Sequence, residues 1–87
     1  MATVFIPAQL VEMTAGQSRI QISGKSVRDL VNQLEAQFPG IKARLCDRDE
    51  LSPSLQVSVD DIFSTRGLLT KVGPDSEVHF LPAIGGG

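Results

Sequence analysis

The sequence has little of the residues that build most catalytic and metal-binding sites. It contains one cysteine, Cys46, and one histidine, His79, among its 87 residues. A lone cysteine excludes an internal disulfide, and a lone histidine excludes a cluster of histidine metal ligands. A single thiol also suits a reducing compartment such as the cytoplasm. Because tryptophan and tyrosine are absent, four phenylalanines and the aliphatic residues must fill the core.

Charged and apolar residues are both scattered along the sequence. Eight basic and ten acidic residues give a formal net charge of −2, and no run of lysine or arginine is present. Nucleic-acid surfaces need a basic stripe to neutralise phosphates, so we expect no nucleic-acid partner. No apolar stretch approaches the length of a transmembrane helix, and the first residues lack the order of an export signal. We therefore predict a cytoplasmic protein with no membrane partner.

Several short segments have the pattern of β-strands. Alternating or β-branched residues indicate strands at 3–7, 18–22, 55–59 and 77–81, with a short strand at 62–63. A loop through Gly16 is expected between the first two strands. Apolar cover is expected from Leu68, Leu69 and Val72, followed by a turn at 73–76.

One segment has the pattern of an α-helix. Ser26 can cap it, and apolar residues recur at helical spacing up to Phe38, before Pro39 and Gly40 end it. One more helical turn at 41–46 and a polar connection at 47–54 follow. The order ββαββ lets one main helix cover one sheet face, which predicts a single α+β roll with a mixed sheet of four to five strands. The last strand should lie parallel to the first in the sheet centre.

No side chain stands out as a catalytic group. His79 alternates with Val78 and Phe80, so we expect it on the partly exposed sheet face in a structural or neutral role. Cys46 has no recognisable base nearby and is interpreted as a half-buried packing residue. The acidic runs at 47–50 and 60–61 lack the spacing of a calcium loop and are interpreted as solvated turns. We predict that no metal is bound.

The last five residues, 83–87, form a different kind of segment, Ala-Ile-Gly-Gly-Gly, directly after a strand. Its simplest interpretation is an incidental frayed terminus. However, five extended residues reach roughly 16 Å, and glycines can enter a channel that any Cβ would block. Pro82 stiffens the root of the segment. We therefore predict a domain at 1–82 and a flexible glycine-rich tail at 83–87.

The ββαββ order with a glycine-rich end resembles the ubiquitin-like sulfur carriers, which have the β-grasp fold. The family includes the small subunit of molybdopterin synthase and the carriers of thiamin and cysteine biosynthesis. The resemblance rests on Gly73-Pro74-Asp75-Ser76-Glu77-Val78, similar to the family's turn into the last strand, and on Leu81-Pro82-Ala83-Ile84-Gly85-Gly86-Gly87. Pro74 within the turn and the third glycine, Gly85, depart from the family pattern. Leu-Pro-Ala before the glycines is most similar to the cysteine-biosynthesis carrier.

The resemblance implies a protein cofactor and not an enzyme. An E1-like adenylating and sulfurtransferase enzyme would use ATP to activate the carboxylate of Gly87. Sulfur would convert that carboxylate to a thiocarboxylate, a C-terminal 1-thioglycine. Gly85, Gly86 and Gly87 would then insert into a downstream synthase that accepts the sulfur, and the domain itself would bind no cofactor. Docking is expected around the tail root, at Pro82, Leu81, Phe63 and His79.

Two other functions share parts of this pattern. A ubiquitin-like modifier would also be adenylated, but would be joined through Gly87 to lysines of target proteins. A non-catalytic interaction module would keep its activity after deletion of Gly86 and Gly87, whereas either tail-dependent function would not. The receiving pathway stays open at this point, with cysteine biosynthesis favoured over molybdopterin or thiamin.

Overall fold

The chain folds into a five-stranded sheet with one long helix across one face. The structure is a computed structural model that describes residues 1–82. Within these residues the strands are β1 (Ala2–Phe5), β2 (Arg19–Ile22), β3 (Cys46–Asp47), β4 (Glu50–Leu51), β5 (Leu55–Val59), β6 (Ile62–Phe63) and β7 (Glu77–Pro82). The α-helices are α1 (Val27–Gln37) and α2 (Ile41–Leu45), and short 3₁₀ helices lie at Ala8–Thr14 and Gly67–Leu69.

The strand order of the main sheet is β2-β1-β7-β5-β6. β1 and β7 run parallel in its centre, with Val4 opposite Val78, and the other neighbouring strands are antiparallel. The predicted mixed sheet, with its last strand beside its first, is therefore confirmed. β3 and β4 form a separate two-stranded hairpin.

Helix α1 begins and ends where the sequence predicts. The Ser26 hydroxyl accepts a hydrogen bond from the Asp29 N–H at 3.2 Å, which satisfies one of the free donors of the first turn. The apolar stripe of α1 is buried against the sheet. Beyond the helix Gly40 adopts a φ of 101°, a left-handed conformation that glycine tolerates best.

The core lies between α1 and the sheet face that α1 covers, here called the inner face. Alternate residues of the central strands point into it, as the period of two requires. The buried apolar strand residues are Ala2, Val4, Ile20, Ile22, Leu55, Val57, Val78 and Phe80. They meet the helix residues Val27, Leu30, Val31 and Leu34.

The structure differs from the predicted elements at three places. The expected loop before Gly16 contains the 3₁₀ helix Ala8–Thr14, because Leu10 packs into the core and the Thr14 hydroxyl donates to backbone carbonyls. The expected polar connection at 47–54 contains the β3–β4 hairpin. Leu68 and Val72 do cover the core, but Leu69 is exposed.

Candidate docking face and tail root

The outer face of the sheet, opposite α1, carries three of the predicted docking residues. His79 lies opposite both Phe5 on β1 and Ser58 on β5, and Ser58 lies opposite Phe63 on β6. These four residues therefore form a row across four adjacent strands. Leu81 shares the face, because it lies two residues beyond His79 on β7. We call Phe5, His79, Leu81 and Phe63 the outer patch.

The outer patch combines exposed apolar surface with a fixed aromatic pair. Phe63 is 60% exposed and Leu81 is 37% exposed. The rings of Phe5 and His79 stack with centroids 4.0 Å apart and planes 5° from parallel. The Glu77 carboxylate lies 3.9 Å from His79 Nε2. An apolar cluster on an exposed sheet face is typical of an interaction surface.

Proline residues mark the end of the sheet at which the described residues stop. The pairing of β1 with β7 ends at Phe5 opposite His79, because Pro7 lacks the N–H that the next position of this ladder would donate. The pairing of β5 with β7 continues further, to Leu55 opposite Pro82. Pro82 likewise has no N–H to extend the sheet. An apolar groove of about 320 Å³ lies beside this end of β7.

The remaining predicted site residues, Gly85, Gly86 and Gly87, lie outside the described residues. The domain limit at 82 and the flexible tail therefore stay predictions. The structure brings Phe63, His79 and Leu81 to one face and places Pro82 at the end of the same strand as the last two. The sequence analysis did not predict Phe5 as part of this face. It could have been predicted, because Phe5 follows the core residue Val4 in β1 and must therefore point to the opposite face of the sheet.

Cys46 and Asp60, for which the sequence predicted no catalytic or metal-binding role, both have structural roles in the fold. Cys46 is half-buried, as predicted, and burial raises the pKa of its thiol, which disfavours the nucleophilic thiolate. The Asp60 carboxylate accepts hydrogen bonds from the Glu77 N–H at 2.9 Å and the Ser76 hydroxyl at 2.8 Å. These bonds, the backbone one foremost, lower the pKa of Asp60. Asp60 is thus a structural tie and not only a solvated turn residue.

Metal and membrane sites are not apparent in the part of the chain that the structure describes. Within residues 1–82 no three His, Cys, Asp or Glu side chains come together in a metal-binding group. Over the same residues no helix has the length and apolar character needed to cross a bilayer.

The mixed five-stranded sheet packs against one main helix, and its first and last strands run parallel in the centre. This arrangement defines a ubiquitin-like β-grasp protein. Solved structures agree with this class. A chain of the Amycolatopsis orientalis BexX/CysO complex matches the whole chain over its own full length, with a TM-score of 0.88 and 32% identity. Mycobacterium tuberculosis CysO matches 97% of this chain and 100% of its own, with a TM-score of 0.87 and 31% identity. Small archaeal modifier protein 1 from Methanosarcina acetivorans shares the fold, with a TM-score of 0.79 at 24% identity.

The sequence places the chain in one family within this class. Residues 4–87 match the ThiS family. The sulfur carrier protein CysO of Mycobacterium tuberculosis and of Mycobacterium bovis is 32% identical over 90 residues, which cover 98% of this chain and 97% of the relative. The chain belongs to the ThiS family of ubiquitin-like sulfur carriers. It is a small carrier protein and not an enzyme, as the resemblance implied.

Proposed function

We propose that the carboxylate of Gly87 carries the sulfur as a thiocarboxylate. An E1-like enzyme joins a carboxylate oxygen to the α-phosphorus of ATP and releases pyrophosphate. A sulfide equivalent from a sulfur donor then attacks the carbonyl carbon of the acyl adenylate and releases AMP. The observation that carries this proposal is the ThiS family match, which runs through the three glycines to residue 87.

The end of β7 supports the use of residues 83–87 as a tail. Pro7 and Pro82 remove the donors that would extend the sheet at this end, so pairing with β1 stops before the tail begins. Beyond Pro82, five residues reach roughly 16 Å when extended. Gly85, Gly86 and Gly87 would enter the active sites of the adenylating enzyme and of the downstream synthase, where side chains would obstruct them.

The outer patch supports a docking surface beside the tail. We propose that the adenylating enzyme covers Phe63, His79 and Leu81, with Pro82 at the edge of the contact. Phe63 and Leu81 have exposed apolar surface, and its burial under a partner would favour binding. The stacked Phe5 holds His79 in one orientation, which reduces the entropy lost when a partner packs against it.

We propose cytoplasmic cysteine biosynthesis as the pathway that receives the sulfur. The CysO proteins share about a third of their residues with this chain, and the match covers nearly their whole length. Molybdopterin and thiamin synthesis are the competing destinations, and sulfur transfer to each purified synthase separates the three.

Intact-mass spectrometry tests the thiocarboxylate directly. Purified chain is incubated with each ThiS-type adenylating enzyme of the source genome, ATP, Mg²⁺ and sulfide. One of these enzymes should increase the mass by the difference between a sulfur and an oxygen atom, located on Gly87 by fragmentation. A variant without Gly86 and Gly87 should stay unmodified, while its urea unfolding midpoint equals that of the wild type.

Three results would contradict the proposal. The wild type stays unmodified with every such enzyme, or the shortened variant gains the same mass. Alternatively, the chain forms isopeptide-linked conjugates with lysines in cells but never a thiocarboxylate, which would identify a protein modifier instead.

A further inference from the structure

Three arginines from separate parts of the sequence line one cleft on the side of the domain. Arg28 comes from the first turn of α1, Arg48 from the turn between β3 and β4, and Arg66 from the residue before the 3₁₀ helix Gly67–Leu69. The cleft between them has a volume of about 500 Å³. The fold brings them together because Gly67–Leu69 packs against both α1 and β4. We call this site the arginine cleft.

The guanidinium groups of the arginine cleft have no carboxylate partner among residues 1–82. Asp49 and Glu50 line the same cleft, yet the described residues hold no arginine–carboxylate contact within 4.0 Å. Arg28 instead donates from Nη2 to the backbone carbonyl of Asp49 at 3.4 Å, which connects α1 to the hairpin turn. Arg48 and Arg66 are exposed. Two exposed guanidinium groups therefore line the cleft without an ion-pair partner among residues 1–82.

The backbone at Arg48 is held in an unfavourable conformation. Arg48 and Asp49 have φ values of 55° and 63°, in the left-handed region where hairpin turns usually place asparagine or glycine. In the other left-handed pair, Asp60 and Asp61, the Asp60 carboxylate accepts hydrogen bonds from Ser76 and Glu77. The side chain of Arg48 makes no such hydrogen bond within residues 1–82. The side chain of Arg48 is therefore available to a partner outside the domain.

The apolar residues of the cleft indicate what kind of ligand it takes. Leu69 is 61% exposed and lines the cleft together with Arg66 and the half-buried Leu51. Arginine around exposed apolar area is typical of a protein interface, whereas a site for a small anion gains nothing from an exposed leucine. Nucleic acid does not fit, because the chain has a net charge of −2 and no run of basic residues that could follow a phosphate backbone.

We propose that the arginine cleft docks a carboxylate-bearing surface of the adenylating enzyme. Aspartate or glutamate side chains of that surface would pair with Arg48 and Arg66, and an apolar side chain between them would pack on Leu69. Arg66 follows Phe63 by three residues, so one partner can cover the cleft and the outer patch together. The identity of the partner rests on the proposed function, but the cleft itself does not.

Charge reversal tests this proposal. The variant Arg48→Glu/Arg66→Glu is compared with Lys25→Glu/Arg44→Glu, which changes the net charge equally at exposed basic residues outside both the cleft and the outer patch. Binding is measured against the adenylating enzyme that converts the wild type, by titration calorimetry at low and at physiological ionic strength. The cleft variant should raise Kd by about tenfold or more at low salt, with a smaller ratio at higher salt. The control variant should change Kd by less than about twofold.

The other outcomes of this experiment are equally decisive. Equal changes of Kd in the two variants would show only a net-charge effect and would overturn the proposal. So would an unchanged Kd for the cleft variant, provided that urea unfolding shows both variants folded. Amide shifts at Arg48 and Arg66 that saturate with submillimolar inorganic phosphate, with enzyme binding unaffected by the variant, would instead assign the cleft to a small anion.

Measuring thiocarboxylate formation in the wild type and in the cleft variant distinguishes failure of the docking proposal from failure of the proposed function. If the wild type is converted and the cleft variant is converted with the same kcat/KM and Kd, only the docking proposal fails. If no adenylating enzyme converts the wild type, the proposed function fails and the partner named here fails with it.

Discussion

At the residue scale, Asp60 contributes more to the fold than its exposed position suggests. Its carboxylate accepts hydrogen bonds from Ser76 and from the first residue of β7, Glu77. The backbone of Asp60 also donates to the Glu77 carbonyl at 2.9 Å. One side chain thus joins the turn after β5 to the turn that begins β7, the strand that ends at the tail root.

Replacing Asp60 by asparagine should destabilise the protein in a pH-dependent way. The folded state lowers the pKa of this carboxyl group, so the ionised form stabilises the fold at pH values above the unfolded pKa. That contribution decreases as the pH falls and is lost below the folded pKa. The urea midpoint of Asp60→Asn should therefore be lower than that of the wild type at pH 7, and the two should converge at strongly acidic pH.

The neighbouring Asp61 provides the matched control. Asp61 also has a left-handed backbone, and asparagine tolerates that conformation, so Asp61→Asn changes charge without the ties to Ser76 and Glu77. Its urea midpoint at pH 7 should equal that of the wild type. If the difference in urea midpoint between Asp60→Asn and the wild type stayed constant across the acid range, the stabilising role of the ionised Asp60 carboxylate would be contradicted.

The sequence could predict local contacts of this kind but not distant ones. The cap from Ser26 to Asp29 is visible because the two residues are three positions apart at the start of an amphipathic pattern. The contact from Asp60 to Ser76 spans sixteen residues and depends on the registers of two strand pairs. The stack of Phe5 on His79 has the same origin, because it follows from the parallel register of β1 and β7.

At the element scale, long periodic segments were predictable, whereas the two-residue strands β3 and β4 were not. α1 and β5 each show their period over several residues, so their burial pattern could be read from the sequence. β3 and β4 contain two residues each, too few to show any period. Their pairing depends on the left-handed turn at Arg48 and Asp49, which no glycine or asparagine marks in the sequence.

The stability of the domain should depend on α1 far more than on the exposed apolar residues. Leu34 is fully buried between α1 and the sheet, so Leu34→Ala leaves a cavity and should reduce the free energy of unfolding by about 2–5 kcal/mol. The same truncation at exposed Leu69 should change it by less than about 0.5 kcal/mol. Urea unfolding followed by circular dichroism measures both, and similar losses in the two variants would contradict this packing arrangement.

At the scale of the whole molecule, the core and the candidate interaction surfaces lie in different regions of the fold. The core lies on the inner face of the sheet, whereas the outer patch, the arginine cleft and the tail root lie at the surface. The sequence pointed to the tail because its glycines are contiguous. It could not point to the arginine cleft, because Arg28, Arg48 and Arg66 are separated by about twenty residues each and look isolated in the sequence.

β6 permits a test of which sheet face the partner uses. Ile62 and Phe63 are adjacent, both well exposed, and lie opposite Val59 and Ser58 respectively, so they belong to opposite faces of the sheet. Phe63→Ser should lower kcat/KM for thiocarboxylate formation by about tenfold through weaker docking, because truncated interface aromatics commonly have effects of this size. Ile62→Ser, with Ile62 72% exposed, should leave kcat/KM unchanged.

Both variants should keep the wild-type urea midpoint, because neither side chain is buried in the core. An increase in KM with an unchanged kcat would place the effect of Phe63→Ser in binding. Equal losses of kcat/KM in the two variants would mean that the partner contacts the edge strand β6 and not the outer face of the sheet. A loss confined to Ile62→Ser would move docking to the other side of the sheet, and the outer patch would then have no part in the transfer of sulfur.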